Sequence, residues 1–488
     1  MKLYEQVAHN IAERIEQAFY QTNEKLPSIR ALSVTHEVSI STAQEAYRLL
    51  EDQGWVESRP KSGFYVVNRQ KVPQQLPDLS RPTQTPIEVS QWEEVLNLLC
   101  ASTTQDIVQL SRAIPDLEAP TLKPLMRIMA DLNRHGGGSI LSYEHLRGAD
   151  CLRLQIARLM VDSGCRLHPD DIITTAGCQE ALSASLRAVT QQGDVVAVDS
   201  PSFYGSLQAI KALGLKALEI PTHPETGISI EALELALEQW PVKAIQITPT
   251  CNNPLGYTMP VEHKQRLLEL TAPYDIPIIE DDIYGDLSYT SPRPPSIKSF
   301  DTEGRVLLCS SFSKTLAPGL RIGWVAPGRY VNQVMHMKYV VTASTPTLPQ
   351  HGIAEFIAQG GYERHIRKMR AKYHQSRDVM IGWVEKYFPE GTKISYPQGG
   401  FLLWVELPAD INTVELNERT MKQGVSIAPG VLFSASGKYR NCMRLNFTDK
   451  PSEKNENAIK RVASCIQEMI SELQSSLAIS KASQKITV

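Results

Sequence analysis

Residues 310–324 read SSFSKTLAPGLRIGW, with one lysine, Lys314, among small hydroxyl side chains and an arginine, Arg321, shortly after. Hydroxyls and a guanidinium suit a phosphate, and a lysine amine beside them suits a carbonyl it can attack. A phosphate-bearing aldehyde cofactor asks for one thing more, a carboxylate that keeps its ring nitrogen protonated and makes the ring an electron sink. Each demand has a candidate. TTAGCQEAL (174–182) leads from a strand through Gly177 into a helix start, where the backbone amides of Cys178 and Gln179 would point at an anion. TPTCNNPLG (248–256) places Asn253 in a turn after a strand, its amide free to donate to a phenolate oxygen. IIEDDIYGD (278–286) ends a strand on Asp281, with Tyr284 three residues on. Any one of these is ordinary turn or cap chemistry; their order and chemical completeness give them weight.

The elements that must hold these residues are legible in the hydropathy pattern. Short apolar runs, VVAVD (195–199), AIQIT (244–248), IPIIED (276–281) and RVLLCSS (305–311), alternate with amphipathic segments such as 229–240 and 262–274. Buried parallel strands with crossover helices make an α/β sheet, which binds ligands beyond the carboxyl ends of its strands. The chain has 488 residues, enough for several domains, with 42% hydrophobic and 21% charged residues. A net charge of −3 gives no global pull toward nucleic acid or acidic membranes. The eight cysteines are scattered without a CxxC pair, which argues against zinc and against a disulfide framework. With no apolar signal sequence and no apolar run long enough for a bilayer, a soluble cytoplasmic protein is expected.

Composition divides the chain into residues 1–68, a proline-rich segment 69–91, a large region 92–470 and a polar tail 471–488. Prolines 73, 77, 82 and 86 exclude a helix from the second segment, which reads as an extended linker of about 50 Å reach. The tail reads as frayed. The front region has helix-turn-helix grammar: Ser28 caps one helix, a turn near Glu37–Val38 leads to Ser39 or Ser41, and Ser41 with Gln44 has capping-box spacing for a second helix ending at Gly54. A hairpin with RPKSG at its tip makes a wing. Such a fold presents Ser41, Thr42 and Gln44 to a major groove and Arg30, Arg48, Arg59, Lys61 and Gly63 to phosphates or minor groove. Residues 1–68 carry seven basic against nine acidic residues, so a protein-binding module is the alternative.

Three resemblances follow. LPSIRAL, VSISTAQEAYRLLEDQGW and RPKSGFYV resemble the GntR-type winged helix over nearly all of residues 3–67, with two departures, Ile40 for arginine and Lys61 for glycine, that leave the operator sequence open. NPLG, DDIY and SFSKTLAPGLRIG resemble the class I/II, fold type I aminotransferases over about 105–470, implying a mainly parallel seven-stranded large domain, a smaller α+β domain and pyridoxal 5′-phosphate. That resemblance implies an imine at Lys314, Asp281 on the ring nitrogen, and Asn253 and Tyr284 on the ring oxygen. It also implies Gly177, Cys178, Gln179, Ser311, Ser313 and Arg321 on the phosphate. Phe203 would stack on the ring, with Tyr204 the alternative, and Tyr143 in LSYEHLRG would reach the partner subunit's phosphate. Arg444 in CMRLNF would clamp a substrate carboxylate, beside GVSIAPGVLF (424–433). The order of the parts resembles the MocR/GabR regulators: a homodimer, possibly domain-swapped, on operator half-sites, with an amine effector that displaces Lys314 by forming an external aldimine. A working aminotransferase with a regulatory appendage is the alternative reading, and a lyase or racemase a third.

Overall fold

The computed structural model describes residues 3–16, 19–21, 23–52, 55–59, 62–67, 75–90, 92–101 and 107–486. The front domain has three helices, α1 (Leu3–Glu16), α2 (Ile29–Thr35) and α3 (Ile40–Asp52), followed by the antiparallel hairpin β1 (Val56–Arg59) and β2 (Gly63–Val66). Its apolar residues close on one another: Val7, Ile11, Leu32, Ala46, Tyr47 and Leu50 are buried in one core. Ser28 caps α2, its hydroxyl accepting from the amide of Ala31 at 3.2 Å. Of the two candidate caps of α3, Ser39 fills the position: Ser39 Oγ accepts from the amide of Thr42 at 3.1 Å. With Ala43, Ala46 and Tyr47 buried on one stripe, Ile40 is the first helical residue, which places the cap at Ser39. Gly54 lies outside the described residues.

Residues 75–90 carry no helix, as their prolines require, but they are tied down along the large domain. Gln75 accepts from the amide of Ile394, Asp78 pairs with Lys393 at 2.7 Å, Ser80 Oγ accepts from the amide of Thr222, and Ile87 bridges Ala217. Residues 75–90 therefore do not act as a free linker but follow the surface of the large domain.

The large domain is built on β4 (Ile173–Thr175), β5 (Val195–Ser200), β6 (Lys216–His223), β7 (Gly227–Ile228), β8 (Val242–Ile247), β9 (Ile278–Asp281), β10 (Val306–Ser311) and β11 (Gly323–Ala326), after a short β3 (Val108–Gln109). They form an eight-stranded sheet ordered β4-β11-β10-β9-β8-β5-β6-β7, one more than the expected seven. The added strand is the two-residue β7, folded back antiparallel on β6; β11 is antiparallel to both its neighbours and the rest run parallel. β5 is buried at every position, as a central parallel strand covered on both faces must be.

The smaller domain carries the antiparallel sheet β12 (Lys393–Ile394), β13 (Leu402–Glu406), β16 (Cys442–Asn446) and β15 (Ala428–Pro429), while β14 (Val425–Ser426) pairs with β3. The terminal helix runs Glu453–Ile486, so the region expected as a frayed tail continues a helix. No proline or glycine follows Pro451, so nothing in the sequence stops it. Among the described residues no helix is long and apolar enough to cross a membrane.

Candidate cofactor and amine site

Four parallel strands end at one edge of the large sheet and hand their next residues to a common site. β9 delivers Asp281 and, in the following turn, Tyr284; β10 delivers Ser311 and the loop bearing Lys314; β8 leads to Asn253 through a turn closed by a cis Asn253–Pro254 bond. β4 passes through Gly177 into the helix Cys178–Val189. β16, from the smaller domain, brings Arg444.

Lys314 Nζ donates to the carbonyl of Ala113 at 2.6 Å. Its pKa is pushed down to about 8, first by burial and then by the nearby Arg444, against the opposing pull of Asp281. Asp281 is buried and pushed up to about 6 by desolvation, while the amide of Ile283 at 3.1 Å and the thiol of Cys178 at 3.4 Å act against that rise. Cys178 thus turns its thiol to Asp281, leaving only its backbone amide for an anion. Gln179 likewise uses its side chain elsewhere, Nε2 donating to the carbonyl of Gly205 at 2.7 Å.

Gly177 adopts φ +89°, and a Cβ there would stand 2.6 Å from Arg321 Nη2. Only glycine lets the turn and the guanidinium approach this closely. Arg321, itself left-handed at φ +52°, donates through Nη2 to the carbonyl of Ala176 at 2.5 Å. Ser311 and Ser313 are buried beside it, the amide of Ser313 donating to Ser311 Oγ at 3.3 Å.

Arg444 is wholly buried, with its guanidinium 5.0 Å from the ring centroid of Phe433 and 5.9 Å from that of Tyr204. Nη1 donates to Asn253 Oδ1 at 3.1 Å and Nη2 to the carbonyl of Ser111 at 2.5 Å, while Nε has no partner among the described residues. With Oδ1 turned to Arg444, the Asn253 amide nitrogen remains free to donate. The Tyr284 hydroxyl is buried without a hydrogen-bond partner among the described residues. Phe203 begins the helix Tyr204–Ala212 and is half-buried; its ring centroid lies 4.8 Å from that of Tyr204. Tyr143 stands apart from this convergence, 89% exposed at the surface.

Several participants escape a sequence reading. The carbonyls of Ser111 and Ala113 act through the backbone, which leaves no residue-type signal. Asn446 lies within the quoted CMRLNF and donates to the carbonyls of Arg112 and Ile114. Asp199, at the end of VVAVD, is buried and pushed up to about 7 by desolvation, with Asn252 and Tyr257 donating to it at 2.8 and 3.1 Å.

In the front domain, Arg30, Ser41, Gln44 and Arg48 are exposed and Thr42 partly so. Arg48 pairs with Glu45 at 3.2 Å. Arg59 pairs with Glu57 at 2.6 Å and lies over the Tyr65 ring. Gly63 opens β2 at φ +118°; Lys61 lies outside the described residues.

Comparison with known proteins agrees with both halves. Residues 105–462 match the model for aminotransferase class I and II, and residues 3–66 that for bacterial regulatory proteins of the gntR family. The chain is 48% identical to the "uncharacterized HTH-type transcriptional regulator YjiR" of Escherichia coli K12, over 96% of this chain and 99% of that one. It belongs to the regulators of MocR/GabR architecture, a gntR-family front domain joined to a class I and II aminotransferase domain. A second regulator of this name type in that organism, YdcR, is 34% identical over 96% of this chain and all of that one. The structure of a kynurenine aminotransferase from Pyrococcus horikoshii, in complex with PMP, matches with a TM-score of 0.71 and 34% identity, over 78% of this chain and 95% of that chain. The large domain of this MocR/GabR-type regulator is thus a fold type I aminotransferase fold, and its cofactor is pyridoxal 5′-phosphate. Its residues fit that group: Gly177 and Arg321 leave a cradle that a Cβ would fill, and the Tyr284 hydroxyl is a buried polar group lacking a partner among the described residues.

Proposed function

We propose that this regulator binds DNA half-sites through its front domain and senses a carboxylate-bearing amine that takes the place of Lys314 at the cofactor. The observation that carries the reading is the convergence of Lys314, Asp281 and Arg444 on a chain that begins with a winged helix. When bound, pyridoxal 5′-phosphate supplies an aldehyde for amines and a ring that accepts electron density from the carbon beside the nitrogen. The rest falls to the chain. Ser311, Ser313, Arg321 and the amides of Gly177, Cys178 and Gln179 hold the phosphate. Asp281 keeps the ring nitrogen protonated, Asn253 and Tyr284 donate to the ring oxygen, and Phe203 covers the ring face. Arg444 takes the amine's carboxylate in its planar fork. Lys314, with its pKa near 8, can lose its proton and yield its place without a large cost.

The regulator works as a cytoplasmic homodimer. Leu141, Tyr143, Tyr339, Val340 and Val341 are exposed apolar or aromatic residues, a surface that suits a second copy. Tyr143 reaches the phosphate of that copy's site, and the twofold suits paired half-sites. The effector acts because it binds one arrangement of the domains better than the other.

The test measures visible absorbance and affinity for the DNA upstream of the protein's own gene while candidate amines are added. An effector changes both, and Lys314→Ala abolishes both changes. A Lys314→Ala protein that keeps the full amine response on DNA sinks the reading. A second reading, transaminase turnover, is favoured by the same Lys314, since an amine with a pKa near 8 can also carry a proton between atoms. Steady consumption of an amino donor with a keto acid supports it; a single response without keto-acid product counts against it.

A further inference from the structure

Residues 111–114 cross the site as a strap. The carbonyls of Ser111 and Ala113 accept from Arg444 and Lys314, while those of Arg112 and Ile114 accept from Asn446. This alternation is the period-two signature of an extended backbone. The Ser111 hydroxyl is buried against Ser426 Oγ at 2.8 Å, on the side of β14. Successive side chains of an extended chain leave on opposite faces, so Arg112 points away from Ser426. It is partly buried, and among the described residues its guanidinium has no hydrogen-bond or ion-pair partner. The next acid along the strap, Asp116, is already held by Lys372 at 2.7 Å.

The charges of the site show what Arg112 lacks. Arg321 answers a phosphate, Asp281 answers a protonated ring nitrogen and Arg444 answers one carboxylate. Among the described residues Arg112 has no counter-charge, so its guanidinium is left available to a second anion brought by the ligand. We infer that Arg112 determines specificity and that the amine carries a second carboxylate on its side chain, as an acidic amino acid does. This rests on the sensing reading above.

The experiment titrates the cofactor-loaded protein with L-glutamate, L-glutamine, L-aspartate and L-asparagine and follows visible absorbance. Each acid and its amide match closely in shape and differ in charge. The wild-type protein should respond to one of the acids at a concentration at least ~10-fold lower than to its amide, the scale of one charge-assisted pair. Arg112→Gln should erase that difference while leaving the amide response within about 2-fold, and Arg112→Lys should keep part of it. An unchanged resting spectrum shows that each variant still holds its cofactor. Equal response to acid and amide in the wild type, or an acid preference that survives Arg112→Gln, overturns the assignment of Arg112 and leaves the sensing site standing. Failure of all four compounds to shift the spectrum overturns the acidic-amine inference; failure of every amine in a wider panel overturns the sensing reading with it.

Discussion

The thiol of Cys178 donates to Oδ1 of Asp281 across 3.4 Å, tying the first residue of a helix to the carboxylate that ends β9. Because burial pushes Asp281 up to about 6, every donor to it helps keep the charged form needed opposite a protonated ring nitrogen. Cys178→Ala removes one donor and should weaken cofactor binding at pH 7 by about 2- to 10-fold, the scale of one modest hydrogen bond. Cys178→Ser, with a better donor, should restore or exceed the wild-type affinity. Equilibrium titration of the cofactor-free protein reads both, and equal affinities in all three proteins would remove Cys178 from the site.

The pH dependence of Lys314 has a definite sign. Its folded pKa of about 8 lies below the ordinary lysine value of 10.5, so the folded chain releases this proton before the unfolded chain does. Below about 8 both states bind the proton and the full burial penalty is present; between about 8 and 10.5 the unfolded state holds more protons, and this contribution to stability rises with pH. Lys314→Met should therefore raise the melting temperature of the cofactor-free protein at pH 7, with a smaller gain at pH 9. The same titration makes the amine a better nucleophile as pH rises, so capture of added cofactor by Lys314 should speed up through about pH 8 and then level off. Stopped-flow absorbance measures it; a flat profile from pH 6.5 to 9 would contradict the assignment.

Much of this site was legible because its residues sit where apolar runs stop. Asp281 ends a buried strand, Asn253 and the Lys314 loop each follow one, and Arg444 lies within one. What stayed open or was missed has physical reasons. VSISTAQ offers serines at 39 and 41, and only the buried stripe of α3, a tertiary fact, chooses between them. Gly227–Ile228 is too short for any periodicity to show. Prolines exclude a helix from residues 75–90 but cannot show that Asp78 finds Lys393 or that Ile87 finds Ala217. The terminal helix passes through a segment with few apolar residues, where the lack of a breaker outweighs the lack of a core-facing stripe. Arg112 carried no signal in the sequence; it became visible only once the carbonyls on either side of it met Arg444 and Lys314.

Gly177→Ala tests the cradle. At φ +89° a side chain is strained, and the new Cβ would press on Arg321 Nη2 at 2.6 Å. Strain of about 1–3 kcal/mol and a displaced guanidinium should weaken cofactor affinity by one to two orders of magnitude. Free inorganic phosphate should protect the wild-type cofactor-free protein in a melting assay and should protect this variant far less. Undiminished protection would place the phosphate elsewhere.

The two halves of the chain should separate in their responses. Arg30 is exposed beside the capped start of α2, and its cation belongs to the set expected on phosphates. Arg30→Ala should lower DNA affinity across specific and unrelated sequences alike and reduce the steepness of the salt dependence by about one unit. Ser28→Ala removes the cap on the amide of Ala31 and should cost the front domain about 1 kcal/mol. In both variants the visible spectrum and its response to an amine should match the wild type, because Lys314 and its partners are untouched. Binding isotherms at several salt concentrations, paired with absorbance titrations on the same samples, decide it. An Arg30→Ala protein that binds DNA normally would point to the front domain as a protein-binding module instead.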